Sequence, residues 1–345
     1  MKKILVKEHD KFKEIKKLEA LMRRLPNHHS ATPLVVSDLK KKQTEISGEK
    51  QVNFPLGFLD EERYFILHNV RLEDAHGFFQ MDTLLLSERF LTVLEVKNWQ
   101  GTILFGENGQ VTRRTPDHRE QGFQNPVFQV KTQVYRLQKW LQSHHFPQVP
   151  IHYFVVISSP STIIESSSSV TTLPKEVIHN NELLFQIKSL EEKMPKRTIS
   201  RGRLKTLAYF LKEIDVPLLK NLLQYYMISE KDLLKGVFCP LCTSLPMERK
   251  RQQWHCRECG HYSKQAHYAA LNDYFLLISD QIVNREARNF LKVESRDVMK
   301  RLLINGGYPL SGTTKSSKYK LELKQEGLNM NRHRPFLKRN KMTHS

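Results

Sequence analysis

The feature that most limits how this 345-residue chain can fold is a pair of apolar runs separated by three polar residues. The runs are FQMDTLLL (79–86) and FLTVLEVK (90–97), and the residues between them are Ser-Glu-Arg (87–89). Runs of this length, rich in aliphatic and aromatic residues and joined by a short polar connection, are typical of an antiparallel β-hairpin. The sequence therefore predicts a hairpin at residues 79–97.

The pairing in this hairpin places polar side chains at one end of an apolar face. A turn centred on residues 88 and 89 pairs Leu86 with Leu91, Leu84 with Val93, Asp82 with Glu95 and Gln80 with Lys97. Because side chains alternate between the two faces of a strand, these residues share one face. Opposed carboxylates repel, and burial adds a desolvation cost, so Asp82 and Glu95 need a cation or a proton. Lys97 is one candidate cation, and a divalent ion such as Mg²⁺ is the better one. The alternative is an ordinary Glu–Lys pair at a solvated sheet edge.

Further patterns place the hairpin in a mixed α/β domain that extends to about residue 190. The runs at 63–69 and 153–158 have the length and composition of strands. Between the hairpin and the later run, residues 125–141 carry valine and leucine at helical spacing. Asn125 suits the N-cap of this helix, and Pro126 suits its first position.

Four segments of this domain, in order, resemble the nuclease-related domain (NERD) family of the PD-(D/E)xK nuclease superfamily. They are SGEKQV (47–52), FQMDTLLLS (79–87), LEVKNWQG (94–101) and NPVFQVKTQVYRL (125–137). The resemblance covers roughly residues 45–160. It implies a PD-(D/E)xK-like mixed sheet flanked by helices, and metal-dependent nuclease activity.

The resemblance also implies a role for five residues: Glu49 helps to hold the metal or its waters, Asp82 and Glu95 are the Mg²⁺ ligands, Lys97 is the catalytic lysine, and Gln129 is the glutamine of the following helix. One departure is that Asp82 follows Met81, so the proline of the superfamily's name is absent. The spacing between Asp82 and Glu95 carries the match instead.

The chain has four cysteines, Cys239, Cys242, Cys256 and Cys259, in the spacing C-x₂-C-x₁₃-C-x₂-C. Two such pairs place four thiolates around one Zn²⁺, and a closed set of four predicts a structural site. The spacing resembles a zinc ribbon. Free or redox-active cysteines are the alternative, and His255 or His261 could replace a cysteine. Ribbons bind nucleic acid or protein, and the sequence does not decide between these partners.

The residues after the cysteines resemble a winged helix. Segments 266–281, 284–291 and 295–305 are predicted to be short helices, and a basic hairpin follows them. In this interpretation Arg296, Lys300 and Arg301 face the major groove or its phosphates, and Lys315 and Lys318 contact the DNA backbone. The alternative is a small helical packing domain without DNA contact.

The charge of the chain favours a polyanionic partner. It has 55 Lys and Arg against 36 Asp and Glu, a net charge of +19. A merely soluble basic protein is the alternative. No apolar run reaches the roughly 18 residues that a membrane helix needs, and the start MKKILVKEHD is interrupted by charges. We therefore expect a cytoplasmic, bacterial-type protein without a membrane segment.

These patterns divide the chain into six segments: a basic helical N-terminal segment (1–44), the nuclease-related domain (45–190), a helical connector (191–235), the zinc ribbon (236–264), a winged-helix-like α+β domain (265–325) and a basic tail (326–345). Within them, residues 1–24 and 200–235 are predicted to be helical. The tail has little periodicity and reads as disordered.

The combined prediction is hydrolysis of phosphodiester bonds in nucleic acid, with DNA as the expected substrate and with Mg²⁺ (or Mn²⁺) and Zn²⁺ as metals. A non-catalytic nucleic-acid-binding protein that retains the nuclease fold is one alternative, and a scaffold for protein partners is another. The joint presence of Glu49, Asp82, Glu95 and Lys97 favours the enzyme, because a relic would be free to lose any of them. The sequence leaves open DNA or RNA, single or double strands, endo- or exonuclease action, and the oligomeric state.

Overall fold

The computed structural model describes residues 4–9, 12–106, 109–115, 117, 119–166, 172–218, 220–312 and 317–324. Its helices are α1 (Phe12–Arg24), α2 (Thr32–Gln51), α3 (Asn53–Leu56), α4 (Pro126–Ser143), α5 (Leu183–Lys193), α6 (Arg201–Glu213), α7 (Leu222–Tyr225), α8 (Ala266–Leu277), α9 (Asn284–Leu291) and α10 (Arg296–Asn305). Its strands are β1 (Leu5–Lys7), β2 (Tyr64–Asp74), β3 (Gly77–Ser87), β4 (Leu91–Lys97), β5 (Thr102–Phe105), β6 (Val111–Arg114), β7 (Glu120–Phe123), β8 (Ile151–Ile157), β9 (Ile163–Ser166), β10 (Val177–His179), β11 (Glu248–Lys250), β12 (Gln253–His255), β13 (Tyr262–Ser263), β14 (Gln281–Val283), β15 (Leu310–Ser311) and β16 (Lys318–Lys320).

The chain divides into two compact units. The first contains Met1–Ile15 and Val36–Lys220, and the second contains Lys16–Val35 and Asn221–Ser345. The predicted basic tail, 326–345, lies outside the described residues. The bounds predicted for the six segments stay predictions. Among the described helices, none is both long and apolar enough to cross a membrane.

A six-stranded sheet forms the centre of the first unit, and it is mixed, as the resemblance implied. Its order is β1-β2-β3-β4-β8-β10. Strands β2, β3 and β4 are antiparallel neighbours, whereas β1, β8 and β10 pair in parallel with theirs. One apolar cluster joins the sheet to α4 and α6, and a second joins it to α3 and α5. The sheet is therefore covered by helices on both faces, and polar groups within its strands are buried.

The predicted hairpin and the helix after it are confirmed. Leu86 pairs with Leu91 and Leu84 with Val93, in the register that the turn predicted. The ladder ends at Thr83 and Leu94, so the predicted pairings of Asp82 with Glu95 and of Gln80 with Lys97 are not part of it. At the start of α4, the Asn125 side chain accepts a hydrogen bond from the backbone N–H of Val127, as expected of an N-cap.

Two helical predictions were wrong in part. Residues 1–24 are not all helical, because Leu5–Lys7 form a strand that pairs with β2 and the helix begins only at Phe12. This short run buries its apolar side chains better as an edge strand of the sheet than as the first turn of a helix. Residues 200–235 form one helix only to Glu213. There the Asp215 carboxylate accepts the N–H of Arg71 at 2.8 Å, and Pro217 has no N–H with which to continue a helix.

The sequence missed several elements of the first unit. Strands β7, β6, β5 and β9 form a second, four-stranded sheet. Each of them has four residues, and two are rich in polar side chains, so the alternating pattern is too short to identify. The 20-residue helix α2 was predicted only in part, because the helical segment was expected to end at residue 44 and the helix continues to Gln51.

The second unit combines a three-stranded ribbon with three helices and a second small sheet. The ribbon order is β11-β12-β13, and the later sheet has the order β14-β16-β15. The predicted helices at 284–291 and 295–305 are confirmed as α9 and α10, whereas the first helix, α8, ends at Leu277 and is followed by β14. Ribbon residues such as Trp254 share one apolar cluster with α8, α9 and α10. The winged-helix interpretation of these elements stays a prediction.

A buried arginine stabilises the second unit. Arg24 is fully buried, and its Nε donates to Oδ2 of Asp273 at 2.8 Å. Its Nη1 donates to the carbonyl oxygens of Leu234 and Gly236 at 3.0 and 2.8 Å. The guanidinium also lies over the Phe290 ring. Because this charge has no access to water, its hydrogen bonds must replace hydration.

We predict that Arg24→Met lowers the free energy of unfolding by about 3–5 kcal/mol, because it leaves the buried Asp273 carboxylate without its main partner. Arg23 is the matched control, since it also contacts Asp273, at 2.6 Å, but is 27% exposed. Arg23→Met should cost about 1 kcal/mol or less. Urea unfolding of both variants measures the difference, and equal losses would contradict a dominant role for burial.

Candidate active site

The two carboxylates of the hairpin lie where its ladder ends. Glu95 is 2% exposed, and Asp82 is half-buried. Oδ2 of Asp82 accepts a hydrogen bond from the backbone N–H of Val96 at 3.0 Å, just beyond the last pair of the ladder, Thr83 and Leu94. The Asp82 side chain thus takes a backbone donor at the position where regular pairing stops. This contact joins the end of β3 to the end of β4 and places both carboxylates at the same end of the hairpin.

Lys97 and two glutamines of α4 surround Glu95. Lys97 Nζ lies 2.6 Å from Oε1 of Glu95 and donates to Oε1 of Gln129 at 3.1 Å. Gln133 Nε2 donates to the other Glu95 oxygen at 2.9 Å. The structure therefore brings together two residues of β4, Glu95 and Lys97, and two residues of α4, Gln129 and Gln133. Sequence reasoning missed Gln133, although its spacing of four residues from Gln129 puts both on one helix face.

Glu49 lies on α2 and is 1% exposed. Its Oε2 accepts a hydrogen bond from Nδ2 of Asn69 at 2.9 Å. The preceding Gly48 permits a close approach to the sheet, because a Cβ there would lie 2.4 Å from the Asn98 Cβ and 2.8 Å from Ser158 Oγ. Asn98 also donates to a backbone carbonyl of the same helix. Glycine at position 48 is thus a packing requirement that lets α2 approach Asn98, the residue after β4.

A neutral histidine lies behind the end of β3. His68 on β2 shares a hydrogen bond of 2.9 Å with Oγ1 of Thr83, the residue after Asp82. Burial, with smaller contributions from the charges of His9 and Lys7, lowers the pKa of His68 to about 2. The imidazole is therefore uncharged at neutral pH and can act only as a hydrogen-bond partner in this region.

The donor atoms of this site fit a hard divalent cation. Carboxylate oxygens are the ligands that Mg²⁺ and Mn²⁺ prefer, and such ions commonly take one or two carboxylates together with water and substrate phosphate. Within the described residues, only the four cysteines bring three or more ligand atoms within 4.8 Å of one another. Glu49, Asp82 and Glu95 therefore do not form such a group, and the candidate ligands stay the two predicted carboxylates, Asp82 and Glu95.

The four cysteines form the second candidate site. Their Sγ atoms all lie within 4.8 Å of one another. Sγ of Cys239 is 3.6 Å from that of Cys259, and Sγ of Cys242 is 3.5 Å from that of Cys256. Zn–S bonds of about 2.3 Å in a tetrahedron separate the sulfurs by about 3.8 Å. The cluster can therefore hold zinc, and four thiols leave no open position for a substrate.

The predicted nucleic-acid contacts are exposed where the structure describes them. Arg296, Lys300 and Arg301 are exposed on α10, and Lys318 is exposed on β16. Lys315 lies outside the described residues. Exposure makes these side chains accessible to a ligand without showing which ligand they contact.

The mixed sheet with two carboxylates and a lysine at one end of a hairpin is similar to the arrangement of PD-(D/E)xK nucleases. Residues 44–158 match the family model of the nuclease-related domain, so this part of the chain is a nuclease-related domain. An uncharacterized protein of Bacillus anthracis is 28% identical over 144 residues, which are 41% of this chain and 65% of that protein. The chain thus spans less than two thirds of that relative. No solved structure matches the chain significantly.

We predict about one zinc per chain in protein purified without chelator, and loss of that zinc in Cys239→Ser. Because Cys239, Cys256 and Trp254 belong to the same apolar cluster as α8–α10, loss of zinc should also lower the melting temperature of these helices. His261→Ala is the control and should keep its zinc. Metal analysis and thermal unfolding by circular dichroism test this, and zinc-free native protein would refute it.

Proposed function

We propose that the nuclease-related domain hydrolyses phosphodiester bonds in nucleic acid, with DNA as the substrate and Mg²⁺ or Mn²⁺ as the cofactor. The observation that carries this proposal is the convergence of Asp82, Glu95 and Lys97 at one end of the β3–β4 hairpin. Lys97 is 21% exposed, whereas Glu95 is buried against it. The site thus offers a cation facing solvent beside two carboxylates, which suits a bound phosphate group.

Each residue has a physical role in this proposal. Asp82 and Glu95 would hold the divalent ion, which when bound polarises a phosphate and lowers the pKa of a water. Lys97 Nζ would orient the attacking water and stabilise the negative charge that develops on the phosphate. Gln129 fixes the direction of the ammonium through its Oε1 at 3.1 Å. Glu49 would orient water beside the two ligands, from its position on α2.

The second unit would hold nucleic acid for the nuclease-related domain. We assign its three helices and basic hairpin to a winged-helix-like fold, with α10 presenting Arg296, Lys300 and Arg301. The zinc ribbon adds to the same basic region, since burial and then the nearby charge of Arg301 lower the pKa of Arg249 on β11. Phosphate contacts of this kind position a protein on a duplex and release counterions.

A non-catalytic role in nucleic-acid binding is the second candidate function. The observation that favours it is the closed hydrogen-bond set around Glu95. Lys97 and Gln133 each occupy one oxygen of this carboxylate, which is therefore satisfied without a metal. In this case the carboxylates would serve the structure of the sheet, and no divalent ion would be needed.

We predict opposite effects of Asp82→Asn on activity and on stability. Cleavage of labelled DNA in Mg²⁺ should fall by about a hundredfold or more, because the metal loses a ligand. The melting temperature in EDTA should hold steady or rise, because a repulsive carboxylate pair is relieved. Lys97→Ala should also abolish cleavage but lower the melting temperature in EDTA, because it removes the cation 2.6 Å from Glu95.

Asp74→Asn is the matched control for this prediction. Asp74 on β2 accepts hydrogen bonds from Arg136 at 2.5 and 2.7 Å, and these contacts lower the pKa of Asp74 to about 2. Its replacement should lower stability equally with and without Mg²⁺ and leave cleavage unchanged. If Asp82→Asn behaves like this control, or if the native protein neither cleaves nor gains stability from Mg²⁺, the non-catalytic candidate replaces the enzyme.

We predict that replacing Arg296, Lys300 and Arg301 together by glutamine in the full chain weakens DNA binding by more than about tenfold. The variant should also show a shallower dependence of affinity on salt, because fewer counterions are released. The control replaces three exposed lysines of α5 and α6, Lys188, Lys205 and Lys212. Fluorescence anisotropy at several salt concentrations measures both effects, and equal affinities for the two variants would indicate that α10 serves only for packing.

A further inference from the structure

A buried polar cluster lies behind Glu49, and part of it comes from outside residues 44–158. His9, which follows β1, has a side chain only 7% exposed. Its Nδ1 lies 3.3 Å from Oδ1 of Asn69 and 3.7 Å from Oε2 of Glu49. Asn69 in turn donates from Nδ2 to the same Glu49 oxygen at 2.9 Å. The three side chains form a closed triangle of polar contacts in the interior of the first unit.

The backbone around Asn69 is fixed for this contact. Asn69 has a φ of 52°, a left-handed conformation that asparagine adopts more readily than most residues. Lys7 Nζ donates to the carbonyl oxygens of His68 and Asn69 at 3.0 and 2.9 Å, and it pairs with Asp215 at 3.2 Å. Strand β1 therefore supplies the lysine that holds the irregular segment of β2, and the residues just after β1 supply His9.

The register of β2 connects this cluster to the metal-ligand candidates. The β2–β3 ladder pairs His68 with Thr83 and Val70 with Met81. Asn69 therefore stands opposite Asp82, at a position that the ladder leaves out. Asn69 thus has an unusual backbone conformation, stands opposite the candidate ligand Asp82 and donates to Glu49 on α2. Apolar packing alone would not require this combination.

We propose that His9 and Asn69 are positioning residues that fix the carboxylate of Glu49, so that the segment following strand β1 is part of the active site. This inference rests on the proposed nuclease function. A glutamate carboxylate that must orient water works only within a narrow range of orientations, and a small displacement in such a site can cost about a hundredfold in rate. At 1% exposure, Glu49 has little water with which to satisfy its charge, so neighbouring donors set its direction.

A purely structural role for His9 would use other atoms of the same side chain. The His9 ring stacks on the His68 ring, with centroids 3.8 Å apart and planes 14° from parallel. Stacking needs a flat ring, whereas the contact with Asn69 and Glu49 needs a nitrogen at the Nδ1 position. Two substitutions at position 9 can therefore separate the two roles.

The experiment compares His9→Asn with His9→Phe in the full chain. Asparagine places an amide nitrogen near the position of Nδ1 but removes the ring, and phenylalanine keeps the ring but removes the nitrogen. Asn69→Gly is the third variant, because glycine accepts the left-handed backbone without supplying an amide. His144→Phe is the control, since His144 stacks on Trp140 in a similar way, at 3.8 Å and 19°, at the far end of α4.

The readouts are kcat and KM for labelled DNA and the rise in melting temperature on addition of Mg²⁺. We expect His9→Phe and Asn69→Gly to lower kcat by about tenfold or more with little change in KM, and to reduce the Mg²⁺-dependent rise. His9→Asn should restore most of kcat despite a lower melting temperature. His144→Phe should match the native protein in kcat and in the Mg²⁺-dependent rise.

The reverse order of the two variants at position 9, with phenylalanine active and asparagine impaired, would overturn the inference in favour of stacking. Native activity in all three variants would also overturn it and leave the nuclease function intact. If the native protein gains stability from Mg²⁺ but cleaves nothing, the proposed activity fails, and the effect of His9→Phe on the Mg²⁺-dependent rise decides the inference. Absence of both native responses overturns both proposals.

Discussion

The arrangement of the first unit depends on how the buried carboxylate of Glu95 is compensated. Its neighbours on β4, Leu94 and Val96, are buried in the apolar core, and Glu95 itself is 2% exposed. A buried carboxylate costs several kcal/mol unless charge and hydrogen bonds replace its hydration. Lys97 supplies the charge from the same strand, and Gln133 supplies a hydrogen bond from α4. The position of α4 across the sheet is therefore set by a polar contact as well as by apolar packing.

The same constraint explains why the site draws on elements far apart in sequence. Each acidic residue is stabilised by a donor from another element: the backbone of β4 for Asp82, the side chain of Asn69 on β2 for Glu49. Short hydrogen bonds require close approach, and Gly48 provides it for α2 by omitting a Cβ that would collide with Asn98. The polar network and the glycine thus act together, because the helices must come close to the buried sheet in order to satisfy its charges.

The hairpin, its register and α4 could be predicted because local signals determine them: a short turn, alternating side chains and an N-cap at Asn125. The ribbon cysteines could be grouped because metal geometry limits their spacing. By contrast, the contacts of Asn69 and His9 with Glu49 depend on a parallel pairing between β1 and β2, whose paired residues, such as Lys7 and Leu67, are 60 positions or more apart. No local pattern encodes such a pairing, and the four-residue strands β5–β7 carry too few alternations to be recognised.

The net charge of +19 is distributed unequally between structural and accessible roles. Arg24 is buried and paired with Asp273, and Lys7 contacts backbone carbonyls and Asp215. On the ribbon, Lys250 and Arg257 both pair with Glu248, and four thiolates around a zinc ion would add further negative charge nearby. Within the described residues, Arg296, Lys300 and Arg301 are exposed and form no salt bridge. Two of the five basic residues of the ribbon at 236–264 are thus paired with Glu248, whereas all three basic residues of α10 are exposed without a salt bridge to any described residue.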